Sequence, residues 1–180
     1  MKNSILFIAI FITTLISSLQ LTAQEFKSLD KSPMDMAAFP SSYKISDKIV
    51  KVIYSRPQLK GRDLVKLAPP EKIWRTGANE AAEITFYKDV VFGGKALKSG
   101  TYSIFTIPSL NGDWTVIINR AKNVWGSYYY KQNQDVIRVF GKVTKTEKNI
   151  EAFSMMFDEN MTLKMGWGKT IISVPIEKTL

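Results

Sequence analysis

The chain of 180 residues has no cysteine and no histidine, and sets 25 Lys and Arg against 16 Asp and Glu, a formal net charge of +9. The two absences exclude disulfides, the Ser-His-Asp and Cys-His nucleophile systems, and the usual nitrogen and sulfur ligands of zinc, iron and copper. The length suits a single domain whose core is large enough to fold without covalent staples.

The first residues read as an export signal. Lys2 gives a positive start, Ile5 to Leu19 is apolar and uncharged, and Leu21-Thr22-Ala23 places a small residue where a signal peptidase would cut. An uncleaved anchor is the competing reading, but the apolar run is short for a span of ~20 residues and is interrupted by Thr13, Thr14, Ser17 and Ser18. The expectation is cleavage after Ala23 and a periplasmic or secreted protein with no transmembrane segment in the mature chain. Removing 23 of the 180 residues leaves 157, and losing Lys2 leaves a net charge of +8. The lysines are scattered rather than grouped in a basic arm, so the charge reads as a solvated surface and not as a nucleic-acid interface.

Residues 24–48, "QEFKSLDKSPMDMAAFPSSYKISDK", are polar and turn-rich. They read as an ordered lead-in that wraps the domain through Met34, Met36 and Phe39, with a disordered linker as the alternative. From residue 49 to 180 a single β domain is expected. Val50, Val52 and Tyr54 alternate with Lys51 and Ile53; Ala82, Ile84 and Phe86 with Glu83 and Thr85; Trp114, Val116 and Ile118 with Thr115, Ile117 and Asn119. This is the period of a half-buried strand. A helical turn fits only near residues 63–75. Asn111-Gly112, between "TYSIFTIP" and "DWTVIIN", predicts a hairpin with a tight type I′ turn. Met161, Leu163, Met165 and Trp167 share a face of one strand, and Ile172, Val174 and Ile176 share a face of the last, with Pro175 pointing outward. The fold class is therefore all-β, an antiparallel β-sandwich of about seven to nine strands.

Two stretches are dense in groups that recognise ligands. Arg56, Lys60, Arg62 and Lys66 precede "WRTGANEA", which adds Arg75, Asn79 and Glu80 beside Trp74. Arginine forks bind carboxylates and phosphates in bidentate fashion, so Arg56, Arg62, Arg75, Asn79 and Glu80 form a candidate pocket for an anionic or sugar-like ligand. The competing role is ion pairing with Asp63, Glu71, Glu80 or Glu83 that fixes loops to the domain, with Gly77 supplying a turn. The second stretch, "NVWGSYYYKQNQD", offers Trp125, Tyr128, Tyr129 and Tyr130 as an aromatic contact surface. No phosphate loop, dinucleotide fingerprint or calcium loop is present, and the "FDENM" turn at Asp158 to Asn160 reads as structural. No catalytic residue, cofactor or metal is expected.

The blocks "KSPMDMAAFP", "YSRPQLKGR", "IWRTGANEA", "GGKALKSGTYSIFTIP" and "WTVIINRAKNVWGSYYY", in this order, resemble the bacterial family called domain of unknown function 2911. The resemblance runs from about Leu29 to Ile176. It places family motifs on Tyr54, Ser55, Arg56, Pro57, Gly61 and Arg62, and on Trp74 to Glu80, while "DLVKLAPPEKIW" departs from the family pattern before the tryptophan. The resemblance implies an exported envelope protein without an established activity. The functional expectation is a non-enzymatic binding module for an anionic or carbohydrate-like ligand. The alternatives are a structural or assembly component that contacts another envelope protein and, third, a hydrolase using Glu80 with an arginine.

Overall fold

A computed structural model describes residues 26–179; the expected signal peptide, residues 1–23, lies outside the described residues. The strands in chain order are β1 Met34–Phe39, β2 Val50–Ser55, β3 Ala82–Phe86, β4 Val90–Phe92, β5 Lys95–Leu97, β6 Gly100–Ile107, β7 Trp114–Asn119, β8 Asp135–Phe157, β9 Leu163–Val174 and β10 Ile176–Lys178. The only α-helix among the described residues is the single turn α1, Leu64–Leu67. All strand pairs are antiparallel. The main sheet runs β1-β2-β3-β6-β7-β8-β9, and a small sheet runs β10-β4-β5. The all-β antiparallel expectation holds. Three of the ten strands are three-residue pieces, all in the small sheet.

Period-two patterning decides which face is inward. Val50, Val52, Ile84, Phe86, Ile104, Val116 and Ile118 are buried, and so are Met161, Leu163, Met165 and Trp167 across the Asp158 turn. That turn is structural, as expected: Asp158 Oδ1 accepts the amides of Asn160 and Thr162 at 3.0 and 2.9 Å. Ile172, Val174 and Ile176 are also buried. Pro175 between them has no amide to donate to a ladder; the chain leaves β9 there and joins the small sheet, where Pro175 O accepts the Gly93 amide at 2.8 Å.

The 23-residue β8 curls the main sheet. Its first part pairs with β7 as far as Gly141, and from Lys142 it pairs with β9 through two register shifts. Gly141 sits at this handover. A Cβ there would stand 2.9 Å from Val116 on β7 and 2.5 Å from Ile172 on β9, so only glycine lets the two neighbours close around the corner. The far end of β8 returns to β2: the Tyr54 hydroxyl accepts the Met155 amide at 2.8 Å, and Phe153 N–H donates to Pro57 O at 2.9 Å. Inside the curl Trp74 stacks on Trp167 at 5.4 Å and meets Phe153 and Trp114 edge-on at 5.0 and 6.2 Å. Such pairs add to the large area each ring buries.

Two local expectations are revised. The Asn111-Gly112 pair forms no type I′ turn: β6 ends at Ile107, β7 starts at Trp114, and neither residue is among those with positive φ. Pro108 cannot donate to the ladder, so pairing stops early and a wider loop follows. The lead-in contributes an edge strand: β1 pairs along its full length with β2, with Phe39 and Ala37 packed on the core while Met34 and Met36 stay exposed. Among the described residues no helix is long and apolar enough to cross a membrane.

Candidate functional site

"WRTGANEA" is a loop thrown out of the sheet and closed at its neck. Trp74 exchanges backbone hydrogen bonds with Thr106 on β6, at 2.7 and 2.9 Å, and β3 resumes the same lane at Ala82, opposite Ile104. Arg75 O accepts the Ala82 amide at 3.1 Å. Residues 76–81 make the excursion, with Thr76 at φ 56° and Asn79 at φ 58°. Asparagine tolerates this left-handed conformation; a β-branched threonine does not, unless its surroundings enforce it. Thr76 is fully buried, and its Oγ1 lies 3.3 Å from Thr106 Oγ1. Gly77 is needed for close approach: a Cβ would meet Ser55 O at 3.1 Å. The loop is a rigid knot against the end of β2.

The aromatic stretch docks on this knot. Ala81 N–H donates to Val124 O at 2.8 Å, Gly126 N–H donates to Asn79 O at 2.9 Å, and Glu80 and Trp125 face each other in an antiparallel bridge. The Asn123 amide donates to Glu83 Oε1 at 2.6 Å. Under this lid Phe105, Ile117 and Ala81 form a second, smaller core on the outer face of the sheet, with Val124 and Tyr130 packed onto it. Tyr130 meets Phe105 edge-on at 5.1 Å. Its hydroxyl donates to Asp135 at 2.7 Å and accepts from Arg138 at 2.6 Å. Burial, then the Asp135 carboxylate, push the phenol up to about 12.

Trp125, Tyr128 and Tyr129 remain outside, 55, 80 and 73% exposed. Gly126 holds the turn between them at φ 64°, where a Cβ would strike the Tyr128 ring at 2.8 Å. Glu80, the bridge partner of Trp125, lines a cavity of about 300 Å³ with Glu83, Asn123, Ser55, Tyr54 and the apolar Met34, Ile53 and Ala81. Glu83 stands opposite Ile53 in the β2–β3 register, and Ile53 opposite Met36 across β1–β2, so the cavity floor is the outer face of three strands. Sequence reading named Glu80 for this site but treated Glu83 only as an ion-pair partner; the outward position of Glu83 in its alternating strand is the available signal for it.

The arginines lie elsewhere. Arg56 closes the seam between β1 and β8: Nη1 pairs with Asp35 at 2.9 Å, Nη2 donates to Ser154 Oγ at 2.8 Å and Nε to Phe153 O at 3.1 Å. Arg62 folds onto its own loop, donating to Leu59 O and Gln58 O at 2.9 and 2.7 Å. Arg75 is half-buried at the neck of the loop, and its Nε is buried without a hydrogen-bond partner. The Asn79 side chain assists the Ser32 amide in holding the exposed Asp30 carboxyl below its ordinary range. Glu80 therefore lies with Trp125, Asn79 meets that loop only through its carbonyl, and Arg56 and Arg62 do not line the cavity.

Over residues 32–176 the chain matches the family described as Protein of unknown function (DUF2911), and it belongs to that family. No curated protein and no solved structure matches the chain.

Proposed function

We propose that this protein is an exported, non-enzymatic module of the bacterial envelope that binds a glycan on the surface formed by Trp125, Glu80, Glu83 and Asn123. The observation that carries the reading is the Glu80–Trp125 bridge. It sets an exposed indole opposite Glu80, which lines a concavity together with Glu83 and Asn123. Sugar rings present an apolar C–H face that stacks on indole and a rim of hydroxyls that donate to carboxylates. Tyr128 and Tyr129 extend the aromatic surface. The anionic-ligand version has less support, because Arg56 and Arg62 are engaged by the protein itself. The hydrolase reading also has less support, because no ion pair among the described residues joins Glu80 to an arginine.

A structural role has its own supporting observation. Met34 and Met36, 63 and 57% exposed, lie on edge strand β1, which suits contact with another envelope protein. Titration calorimetry against a panel of envelope and extracellular oligosaccharides separates the two. Glycan binding that is lost in Trp125→Ala and weakened in Glu80→Gln, with unchanged melting temperature, supports the module. Absence of glycan binding, or binding indifferent to both changes, overturns it. For export, intact-mass analysis of the soluble envelope fraction is expected to show a chain starting at Gln24; a form retaining Met1 to Ala23 in the membrane fraction refutes that part.

A further inference from the structure

The β6–β7 hairpin has two ends. The glycan surface belongs to the end where Ser103 faces Asn119, and a separate concavity of about 470 Å³ lies at the other, beyond Ile107 and Thr115. Its walls come from three places: α1 and the Pro70 turn after it, the wide Pro108–Asp113 loop, and the start of the β8–β9 pairing. We infer that this concavity is a second ligand site, for a small monocarboxylate with an apolar tail.

The chemistry of the lining makes the case. Leu64, Val65, Leu110, Trp114 and Val143 supply an apolar surface. Val65 and Leu110 are held in solvent at 49 and 69% exposure, while the Trp114 indole is buried and braced edge-on by Trp74. The volume falls in the ~300–1,000 Å³ range of small-molecule sites. Two prolines border it, so the walls are stiff and little order must be imposed on binding. Two charged residues line it. Asp113 is committed to the scaffold, since its Oδ1 accepts the Val143 amide at 2.8 Å and so ties the loop to β8. Lys145 has no ion pair among the described residues, and its ammonium makes one contact there, to Thr170 Oγ1 at 3.3 Å. Ser109, Asn111 and Thr170 add polar groups to the lining, and a cation with no ion pair, at the rim of a recess with one apolar wall on a chain with excess positive charge, complements a carboxylate whose tail lies on that wall.

This assignment is independent of the glycan surface. The probes are octanoate and octan-1-ol, which share a chain and differ in charge, titrated calorimetrically into the purified protein. Octanoate is expected to bind saturably and roughly tenfold more tightly than octanol, which corresponds to ~1.4 kcal/mol. Lys145→Gln should remove that ratio by weakening octanoate alone. Leu110→Glu should abolish binding of both, and Trp125→Ala should change neither. All three altered positions are exposed, so the variants retain the fold, as a melting curve verifies. Failure of octanoate to bind, a ratio that survives Lys145→Gln, or binding indifferent to Leu110→Glu each overturns the assignment.

Discussion

Arg56→Ala separates a guanidinium that holds the fold from one that awaits a ligand. The side chain makes an ion pair with Asp35 and donates two further hydrogen bonds, to Ser154 Oγ and Phe153 O. The two ion-pair partners are 35 and 42% exposed, so the pair is screened and contributes ~0–1 kcal/mol. The other two bonds add ~0.5–1.5 kcal/mol each. The loss is therefore about 2 kcal/mol, a large part of a domain stability of ~5–15 kcal/mol but not enough to unfold the chain. At roughly 2–4 °C per kcal/mol for a domain of this size, the melting temperature should fall by ~4–8 °C. Arg56→Lys should recover little, because an ammonium cannot span three acceptors in different directions. Differential scanning calorimetry of the two variants beside Glu80→Gln gives the comparison, with Glu80→Gln expected to melt with the parent. A melting temperature within about 1 °C of the parent in Arg56→Ala refutes the seam assignment and returns Arg56 to the list of ligand groups.

Gly141→Ala should destabilise by ~1–3 kcal/mol in a denaturant melt, because the new methyl overpacks the corner between Val116 and Ile172; an unchanged midpoint shows that β8 can shift there. Arg75→Met removes a buried donor that has no acceptor and keeps the length of the side chain, so the melting temperature should hold or rise; a fall equivalent to more than ~2 kcal/mol reveals a partner for that guanidinium. Tyr130 has a folded pKa raised to about 12 from an ordinary 10.0, so its stabilising effect is complete below pH 10 and disappears as the pH climbs through the folded value. Stability measured across that window should decline less in Tyr130→Phe than in the parent, and equal declines refute the raised folded value that burial and then the Asp135 carboxylate impose.

Strand alternation made the main core legible because it depends on one fact: successive side chains point to opposite faces. Val50, Val52 and Tyr54 could be assigned to one side before any fold was known. The same rule says nothing about what covers the other side. Ile117 and Asn119 alternate with core residues and read as outward, yet both are fully buried, because the 121–134 stretch lies over them. Only the chemistry of that stretch hinted at this, through Tyr130 among its aromatics. β8 was obscured for a related reason. Its middle, "KTEKN", is polar and falls at the first register shift, between Lys145 and Ile150, and a long strand that changes partners carries no single periodic signature.

The site divides along the same line. Residues 79–81 and 124–126 were each singled out for their own composition, but no sequence rule joins two loops that meet through main-chain hydrogen bonds, since any residues could make them. The arginines show the converse limit. Composition counts donors, whereas function depends on which donors remain unsatisfied after folding, and Arg56 and Arg62 find acceptors within the protein. A basic chain has many guanidiniums for such work, so their number is weak evidence of a ligand. Large aromatic side chains left in water are stronger evidence, because burying them would stabilise the fold and this chain does partly bury Tyr130 from the same loop. Trp125, Tyr128 and Tyr129 stay outside, around a glycine conformation that excludes a side chain beside Tyr128. An arrangement that keeps three aromatic rings of one loop exposed, one of them bridged to Glu80, forgoes stability the same residues could supply, and that exchange is what supports the proposed binding role.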